Sequence, residues 1–219
     1  MNAGITAAVH SALALVAGLV LAAGPAHAAL SCADMTERLA QLSAQNAAPL
    51  RTSGGVQFKT LYDDCDARDR FEGKPLPSHN GRPLRCTTDK NRVEFVRKYA
   101  SGPVVWRAKA AVDADGAPLS SDPDPDSTNQ PQTWLTFDQG SDRHFVNAEE
   151  LSFVVVPQKS PAGTSFQKAA GVGKGDLAAV FANGRCSFGV VGDAGPYYRL
   201  GEVSLKTHEE LGNPQCATL

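Results

Sequence analysis

The chain has 219 residues and a formal net charge of −2 at pH 7, with 21 Lys and Arg against 23 Asp and Glu. This balance argues against a nucleic-acid-binding protein, because such proteins need a concentrated basic surface. A chain of this length can bury the core of one main domain. The sequence therefore predicts a single main domain with no nucleic-acid partner.

Residues 1–28 contain no Asp, Glu, Lys or Arg and include an apolar run from Ala12 to Ala23. That run is shorter than the about 20 strongly apolar residues of a membrane span, and the small residues Ala26 and Ala28 suit a signal peptidase. We therefore expect a signal peptide that is cleaved near Ala28, no membrane span, and a secreted or periplasmic protein. Lipid attachment at Cys32 is a less favoured alternative.

The cysteine pattern fits an exported, disulfide-containing protein. Their odd number and the lack of any Cys-x-x-Cys spacing argue against a zinc site. Two disulfides and one remaining thiol are the simplest arrangement. Proximity favours Cys65–Cys86 and Cys186–Cys216, although four cysteines already allow three pairings. The five cysteines are Cys32, Cys65, Cys86, Cys186 and Cys216.

Residues 29–100 have the composition of an irregular N-terminal extension. The spacing of Met and Leu predicts a short amphipathic helix over Asp34–Ala44. The stretch from Thr52 to Thr88 is rich in Gly, Pro, Asp and Arg and carries several turn signals, with a strand possible at Val56–Leu61. We therefore interpret this region as a helix plus loops, pinned by a disulfide.

Residues 101–219 carry short apolar runs that are bounded by Gly, Pro, Asp or Asn, as in strands. Asn183-Gly184 predicts a two-residue hairpin, because both positions tolerate positive φ. A final helix is predicted from Glu202 to Leu211, since Gly212 and Pro214 follow it. These elements predict a small, mainly β barrel with a short C-terminal helix. The apolar runs are Val104–Trp106, Lys109–Val112, Phe153–Val156, Leu177–Phe181 and Ser187–Val191.

Two carboxylates flank the turn after the last of these strands. Asp193 stands at the strand end before Gly195-Pro196, and Glu202 stands at the expected helix start. Glycoside hydrolysis needs such a pair, one protonated acid and one carboxylate that acts as base or nucleophile. The same spacing also fits a turn residue at Asp193 and a residue that begins a helix at Glu202, without any role in catalysis. A helix N-terminus stabilises a charged carboxylate, which favours Glu202 as base and Asp193 as acid, with the reverse left open.

Four motifs in order resemble those of one enzyme family. Gly192–Pro196, followed by Leu200–Ser204, resembles the "GDxGP" turn and "GE-x-S" segment of the fungal-type chitosanases, glycoside hydrolase family 75. Three upstream segments resemble further motifs of that family in the same order. The resemblance covers roughly residues 106 to 212. The upstream segments are Ala108–Gly116, Val154–Pro157 and Gly175–Val180.

The resemblance implies a six-stranded double-psi-like β-barrel as the catalytic domain in residues 101–219. It also implies endo-cleavage of β-1,4-linked glucosamine polymer (chitosan) with inversion, and no metal or other cofactor. Carried over by motif, the essential Asp of the family falls on Asp193 and its essential Glu on Glu202. We expect a polysaccharide substrate and a monomeric protein.

Further side chains are candidates for substrate binding. Asp113 and Asp115 lie in an Asp-x-Asp-Gly segment, which is typical of a turn, a substrate subsite or a fragment of a calcium loop. Calcium is the least favoured, because the Glu that such a loop needs is missing. Trp134, Tyr197 and Tyr198 are the candidates for stacking on pyranose rings, whereas Trp106 is expected in the core.

The segment from Ala111 to Glu150 has nine acidic side chains and a single basic one, Arg143. Such an excess is typical of a solvated loop or of a surface that attracts a cationic polymer. A serine or cysteine hydrolase is disfavoured, because no Gly-x-Ser-x-Gly segment is present. The alternatives left open are a hydrolase of another cell-wall glycan, such as peptidoglycan, and a non-catalytic polysaccharide-binding or envelope protein.

Overall fold

The computed structural model of the protein describes residues 4–10, 31–79, 81–117, 130–139 and 142–213. The predicted cleavage site near Ala28, Cys216 and the acidic residues of 118–129 lie outside the described residues. For residues 4–10 only the backbone is described.

The described residues form mainly β structure, with 35% strand against 20% helix. The mainly β class is therefore confirmed. The helices are α1 (Cys32–Ser43), α2 (Phe58–Arg68), α3 (Phe166–Ala170) and α4 (Leu205–Glu210). The strands are β1 (Gly4–His10), β2 (Ala47–Pro49), β3 (Arg70–Phe71), β4 (Lys74–Pro75), β5 (Ser78–His79), β6 (Arg82–Pro83), β7 (Phe95–Tyr99), β8 (Val104–Lys109), β9 (Ala111–Asp113), β10 (Thr136–Gln139), β11 (Asp142–Phe145), β12 (Phe153–Pro157), β13 (Leu177–Ala182), β14 (Arg185–Gly195) and β15 (Glu202–Ser204).

Nine strands form one sheet in the order β2-β7-β8-β1-β13-β14-β12-β15-β9, and this sheet curls into a half-barrel. The hairpins β3–β4, β5–β6 and β10–β11 form separate two-stranded sheets. Strand β12 lies between β14 and β15, and its residues are all buried. The long apolar runs of the sequence thus form the centre of the sheet, where both faces are covered.

The predicted hairpin at Asn183-Gly184 is confirmed. Strands β13 and β14 pair antiparallel up to Ala182 and Arg185, which directly flank the two turn residues. Asn183 and Gly184 have φ of 52° and 73°, the positive values that a two-residue hairpin of this type requires. The local sequence therefore sets the register of the two longest neighbouring strands.

The helix predicted from Glu202 is wrong at its start. Glu202–Ser204 is strand β15, and α4 begins only at Leu205. Ser204 is the N-cap of α4, because its side chain accepts a hydrogen bond from the backbone N–H of Thr207. Residues 202–204 are drawn into the sheet because they pair with β9 and, at Val203, with β12.

The region predicted as an irregular extension contributes to the main sheet and the main core. Strands β2 and β7 extend the sheet beyond β8. The segment from Val56 to Leu61, where a strand was possible, instead enters helix α2. Phe58 and Tyr62 of α2 are buried in the same apolar cluster as Trp106 and Val154. Residues 31–100 and the later strands therefore share one core.

One of the two predicted disulfides is confirmed and the other is wrong. Cys65 is bonded to Cys86, as proximity predicted. Cys186 is bonded to Cys32, 154 residues away, instead of to Cys216. Helix α1 lies against β14, which brings Cys32 to the start of that strand. Proximity along the sequence fails here because the fold brings α1 against β14, although the two elements are far apart in the chain.

Strand β1 comes from the segment that the sequence predicts to be a signal peptide. It pairs antiparallel with β8 on one side and with β13 on the other. Because both neighbours are antiparallel to β1, they run parallel to each other. In the part of the chain that the structure describes, no helix combines the length and the apolarity needed to cross a membrane.

Candidate active site

Three adjacent strands position Asp193 and Glu202. In the parallel pair β12–β14, Val155 is opposite Asp193, and in the antiparallel pair β12–β15, Val154 is opposite Val203. The antiparallel register therefore places Val155 beside Glu202 as well. The two predicted carboxylates stand on either side of one residue, at the same level of the sheet.

The carboxyl group of Glu202 lies on the face of β14 that carries the Asp193 side chain. A Cβ atom added at Gly195 would lie 2.5 Å from Oε2 of Glu202 and 2.8 Å from Cγ1 of Val155. Positions 193 and 195 share a face, because side chains alternate along a strand. Two residues of a strand span roughly 6.6 Å, so the positions 193 and 195 that carry or contact the two carboxyl groups are about that far apart along β14.

Asp193 is held at the edge of a cluster of carboxyl groups. Its side chain is 6% exposed, and its Oδ1 accepts a hydrogen bond of 2.7 Å from the backbone N–H of Trp134. The segment around Trp134 is fixed in turn, because the Leu135 N–H donates to the Gly192 carbonyl at 2.8 Å. One carboxyl oxygen from each of Asp113, Asp115 and Asp193 lies within 4.8 Å of the others.

Asp113 and Asp115 form the predicted turn, and this turn points Asp115 at Asp193. The Asp115 N–H donates to Oδ1 of Asp113 at 2.7 Å, and the Gln130 N–H donates to Oδ1 of Asp115 at 2.6 Å. Gly116 has φ +79°, which suits glycine. The structure therefore brings both predicted residues to the candidate pair, with Asp113 buried and Asp115 partly exposed.

The three clustered carboxyls can bind a divalent cation or share protons. Carboxylate oxygens are the ligands that Mg²⁺ and Ca²⁺ prefer. Each of Asp113, Asp115 and Asp193 already accepts a backbone N–H, however. Because carboxyl groups this close together cannot all be ionised, their spacing favours proton sharing.

Burial raises the pKa of Glu202 to about 7, and the negative charges of Asp89 and Asp193 act in the same direction. Arg199 and Lys109 oppose this increase. A large fraction of Glu202 is therefore protonated at neutral pH. A carboxyl group with this pKa can donate a proton to a leaving group and then release and regain one near pH 7.

Asp113 and Asp115 also hold protons more tightly than free carboxyls. Burial raises the pKa of Asp115 to about 7, and the charge of Asp193 contributes to the increase. Burial and the charges of Asp115 and Asp193 raise the pKa of Asp113 well above its usual range. Carboxyl groups this close together cannot all be ionised, because their like charges repel.

The ion pairs that join Asp89, Lys109 and Arg199 form a charged bridge close to Glu202. Asp89 forms ion pairs with both Lys109 and Arg199, at 2.9 Å for Arg199. Arg199 belongs to the loop that leads from Asp193 to Glu202. The bridge therefore ties this loop to the end of β8 and sets the charge that Glu202 experiences.

The predicted stacking residues differ in how far their rings are exposed. Tyr198 is 5% exposed and packs in the main core, so the prediction that it offers a stacking surface is wrong: a ring needs an open face to stack on a sugar. Tyr197 is partly exposed and contacts Phe71 edge to face, with 5.3 Å between ring centroids. Trp134, next to Asp193, is also partly exposed. Trp106 lies in the core, as predicted.

Two residues of the site were not predicted from the sequence. Asn91 is buried and hydrogen-bonded to the loop before Glu202. The hydroxyl of Tyr62 is buried without a hydrogen-bond partner among the described residues, and the charge of Glu202 adds to the effect of burial in raising its pKa. No local motif marks either residue, because the loop before Glu202 and Glu202 itself lie more than 100 positions later in the chain.

The fold and the site define a mainly β protein with an enclosed pair of carboxyl groups. A comparison of the chain with models of known protein families finds no match, and neither does a comparison with curated proteins. The resemblance to fungal-type chitosanases therefore stays a prediction from the motifs quoted above.

The free energy of unfolding is expected to fall as the pH rises from about 4.5 to about 7. In this window the folded protein keeps the proton on Glu202, whose ordinary pKa is 4.5, while the unfolded chain has released it. Each such group lowers the stability by at most about 1.4 kcal/mol per pH unit. Urea unfolding at pH 5, 6 and 7 measures this slope. Glu202→Gln should make it shallower, and an unchanged slope would contradict the raised pKa.

Proposed function

We propose that the protein is an exported glycoside hydrolase that cleaves a β-1,4-linked glucosamine polymer with inversion. The observation that carries this proposal is the position of the Glu202 carboxyl over Gly195, on the face of β14 that carries Asp193. Inverting glycosidases hold their two carboxyls about 6.5–9.5 Å apart, which leaves room for a water molecule. The offset of roughly 6.6 Å between positions 193 and 195 supports a separation of this size.

In the proposed mechanism Glu202 is the general acid and Asp193 the general base. Glu202 gives its proton to the glycosidic oxygen, which takes the electron pair of the breaking bond. A water molecule adds to the anomeric carbon from the opposite side and gives its proton to Asp193. This assignment reverses the one that a helix start at Glu202 favoured, because Glu202 lies on a strand and burial raises its pKa.

The different exposure of the two carboxyls supports these roles. Asp193 is 6% exposed, and a base in an inverting enzyme needs to reach only a water molecule. Its hydrogen bond from the Trp134 N–H fixes the orientation of the Asp193 carboxyl group. Taken as a whole residue, Glu202 is more exposed than Asp193, as an acid that contacts the glycosidic oxygen must be.

The connection between β8 and β9 supports the proposed barrel. Only Ala110 separates the two strands. Strand β8 pairs with β1 and strand β9 pairs with β15, so they lie on opposite sides of the central strands β13, β14 and β12. In the proposed barrel this short connection would link the two sides of the ring β8/β9, β1, β13, β14, β12 and β15. Five of these positions belong to residues 101–219, and the sixth, β1, lies in the segment that the proposed cleavage removes.

Export with cleavage after Ala28 is part of the proposal and has a structural consequence. Removal of residues 1–28 would take β1 out of the sheet. Strands β8 and β13, which run parallel to each other, would then lose the strand between them. We expect the protein recovered from the exported fraction of a bacterial host to begin at Ala29, as measured by its intact mass. A mass that includes Gly4–His10 would contradict cleavage and would keep β1 as a permanent strand.

The substrate class is tested by the release of reducing ends from soluble chitosan, chitin and peptidoglycan. The carboxyl cluster and the acidic residues of 111–150 favour a polymer that carries protonated amines. We therefore expect cleavage of chitosan. Cleavage of peptidoglycan alone would instead support the hydrolase of another cell-wall glycan.

A non-catalytic polysaccharide-binding protein is the second candidate. The observation that favours it is the low exposure of Asp193, which is also typical of a carboxylate that only supports a fold. Binding and cleavage of chitosan by the wild-type protein separate the two functions. Retention of chitosan on a column without release of reducing ends would support the binding protein and would contradict the hydrolase.

A further inference from the structure

The loop between the two proposed catalytic carboxyls has few contacts of its own to hold its shape. Residues 196–201 connect β14 to β15, and one hydrogen bond within the loop, from the Arg199 N–H to the Pro196 carbonyl, is described. The loop ends at Glu202, so a change in its path moves the proposed acid. Groups from outside the loop must therefore fix it.

Asn91 supplies that fixation from the N-terminal part of the chain. Its Nδ2 donates to the Tyr198 carbonyl at 3.1 Å, and its Oδ1 accepts from the Leu200 N–H at 3.1 Å. The side chain thus bonds to the backbone on both sides of Arg199. It is 3% exposed, so water does not compete for these bonds.

Asn91 is itself anchored to elements outside the loop. Asp66 of α2 accepts hydrogen bonds from both the backbone N–H and the Nδ2 of Asn91, at 2.8 and 3.0 Å. The Asn91 carbonyl accepts from the Lys109 N–H at 2.8 Å at the end of β8. The disulfide Cys65–Cys86 joins the same two segments of chain. Helix α2, strand β8 and the loop thus meet at one residue, β8 through its backbone and the other two through its side chain.

We propose that Asn91 is a positioning residue for Glu202. It acts through the backbone of Tyr198 and Leu200, holds the loop so that the Glu202 carboxyl stays over Gly195, and keeps Arg199 beside that carboxyl. The proposal rests on the proposed function and deepens it. It also gives the N-terminal region, from α2 to Asn91, a part in the site.

The position of the loop can be followed through the pKa of Glu202, because that pKa depends on the charges around the carboxyl. Arg199 opposes the increase in the pKa of Glu202, so a loop that moves Arg199 away removes this opposition. Of the other charged or titratable groups that interact with Glu202, Tyr198 lies within the loop and the rest stand outside it. Those outside the loop are Lys109, Asp89, Asp193, Asp113, Asp115 and Tyr62.

Asn91→Ala in the full chain tests the proposal. We expect kcat on soluble chitosan to fall about tenfold or more with little change in KM, because a carboxyl displaced by a fraction of an ångström loses its alignment. In the protein without substrate, the midpoint of the Glu202 carboxyl titration, followed by ¹³C NMR, should move upward. This second readout does not depend on activity, so it stays decisive even if wild type cleaves no glycan.

Thr87→Ala is the matched control. Thr87 lies four residues before Asn91 and donates its hydroxyl hydrogen bond to Asp69 at 2.8 Å, without a described contact to the loop. We expect it to lower the stability but to leave kcat and the Glu202 titration unchanged. A merely structural role for Asn91 predicts that the two variants behave alike, and that result would overturn the proposal.

Hydrogen exchange in wild type provides a test that does not require Asn91→Ala to fold. The Leu200 amide should exchange with deuterium as slowly as the Lys109 amide, since both are bonded to Asn91. Exchange of Leu200 at the rate of an unbonded amide would also overturn the proposal.

Discussion

Glu202→Gln is expected to lower kcat on soluble chitosan by about a hundred- to ten-thousandfold, with little change in KM, because the amide cannot donate the proton that the leaving oxygen needs. Gln has nearly the size of Glu and keeps the contact with Gly195. Initial rates of reducing-end release measure the effect. Binding of the polymer should persist, since only the transition state uses the proton.

Glu209→Gln is the control for this variant. Glu209 lies on α4, is exposed, and pairs with Lys206 at 2.7 Å. Exposed pairs of this kind contribute little to stability, and the residue has no described contact with the site. We expect wild-type rates for this variant. Equal rates for Glu202→Gln and wild type would contradict the role of Glu202 as acid.

Gly195→Ala is expected to lower kcat on the order of a hundredfold while the protein stays folded. The added methyl group would lie 2.5 Å from Oε2 of Glu202 and 2.8 Å from Cγ1 of Val155, so the carboxyl must leave its present position. A displacement of about 1 Å is enough for a loss of this size. Initial rates and thermal unfolding of the same sample separate loss of activity from loss of structure.

Gly173→Ala is the control for the added methyl group. A Cβ atom at Gly173 would meet nothing within 4 Å, and its φ is not in the positive region. We expect unchanged activity and, at most, a small change in stability. If Gly195→Ala kept full activity, the Glu202 carboxyl would not be at the position on which the mechanism depends.

The elements that could be predicted from the sequence are those set by local chemistry. The apolar runs give β8, β12, β13 and β14, and Asn183-Gly184 gives the hairpin between the last two, because positive φ is a property of the residues themselves. The helix near the N-terminus follows from its amphipathic spacing and its Ser31 cap. Cys65–Cys86 closes a short loop and was predicted for that reason.

The parts that could not be predicted depend on contacts between distant segments. The sequence predicts a helix that starts at Glu202, because Gly212 and Pro214 are typical of the end of a helix. That helix is present as α4, but it starts later. Pairing with β9 draws residues 202–204 into the sheet instead. Cys186 finds Cys32 only after α1 has packed against β14. Asn91 has no motif of its own, since its role depends on a loop more than 100 residues later.

The candidate pair itself was predicted, but its environment was not. The sequence places Asp193 and Glu202 nine residues apart around a Gly-Pro bend. It does not reveal that β12 lies between them, nor that the Asp113–Asp115 turn comes back to Asp193. Those two features set the burial and the pKa of the carboxyls. They also decide which carboxyl is proposed as the acid.

The anomeric form of the first products tests the two-carboxyl account most directly. Proton NMR of soluble chitosan, recorded within the first minutes after adding the protein, distinguishes α from β reducing ends before they interconvert. The account predicts α reducing ends from wild type and no products from Asp193→Asn or Glu202→Gln. Initial β reducing ends, or α reducing ends from either variant at the wild-type rate, would contradict it.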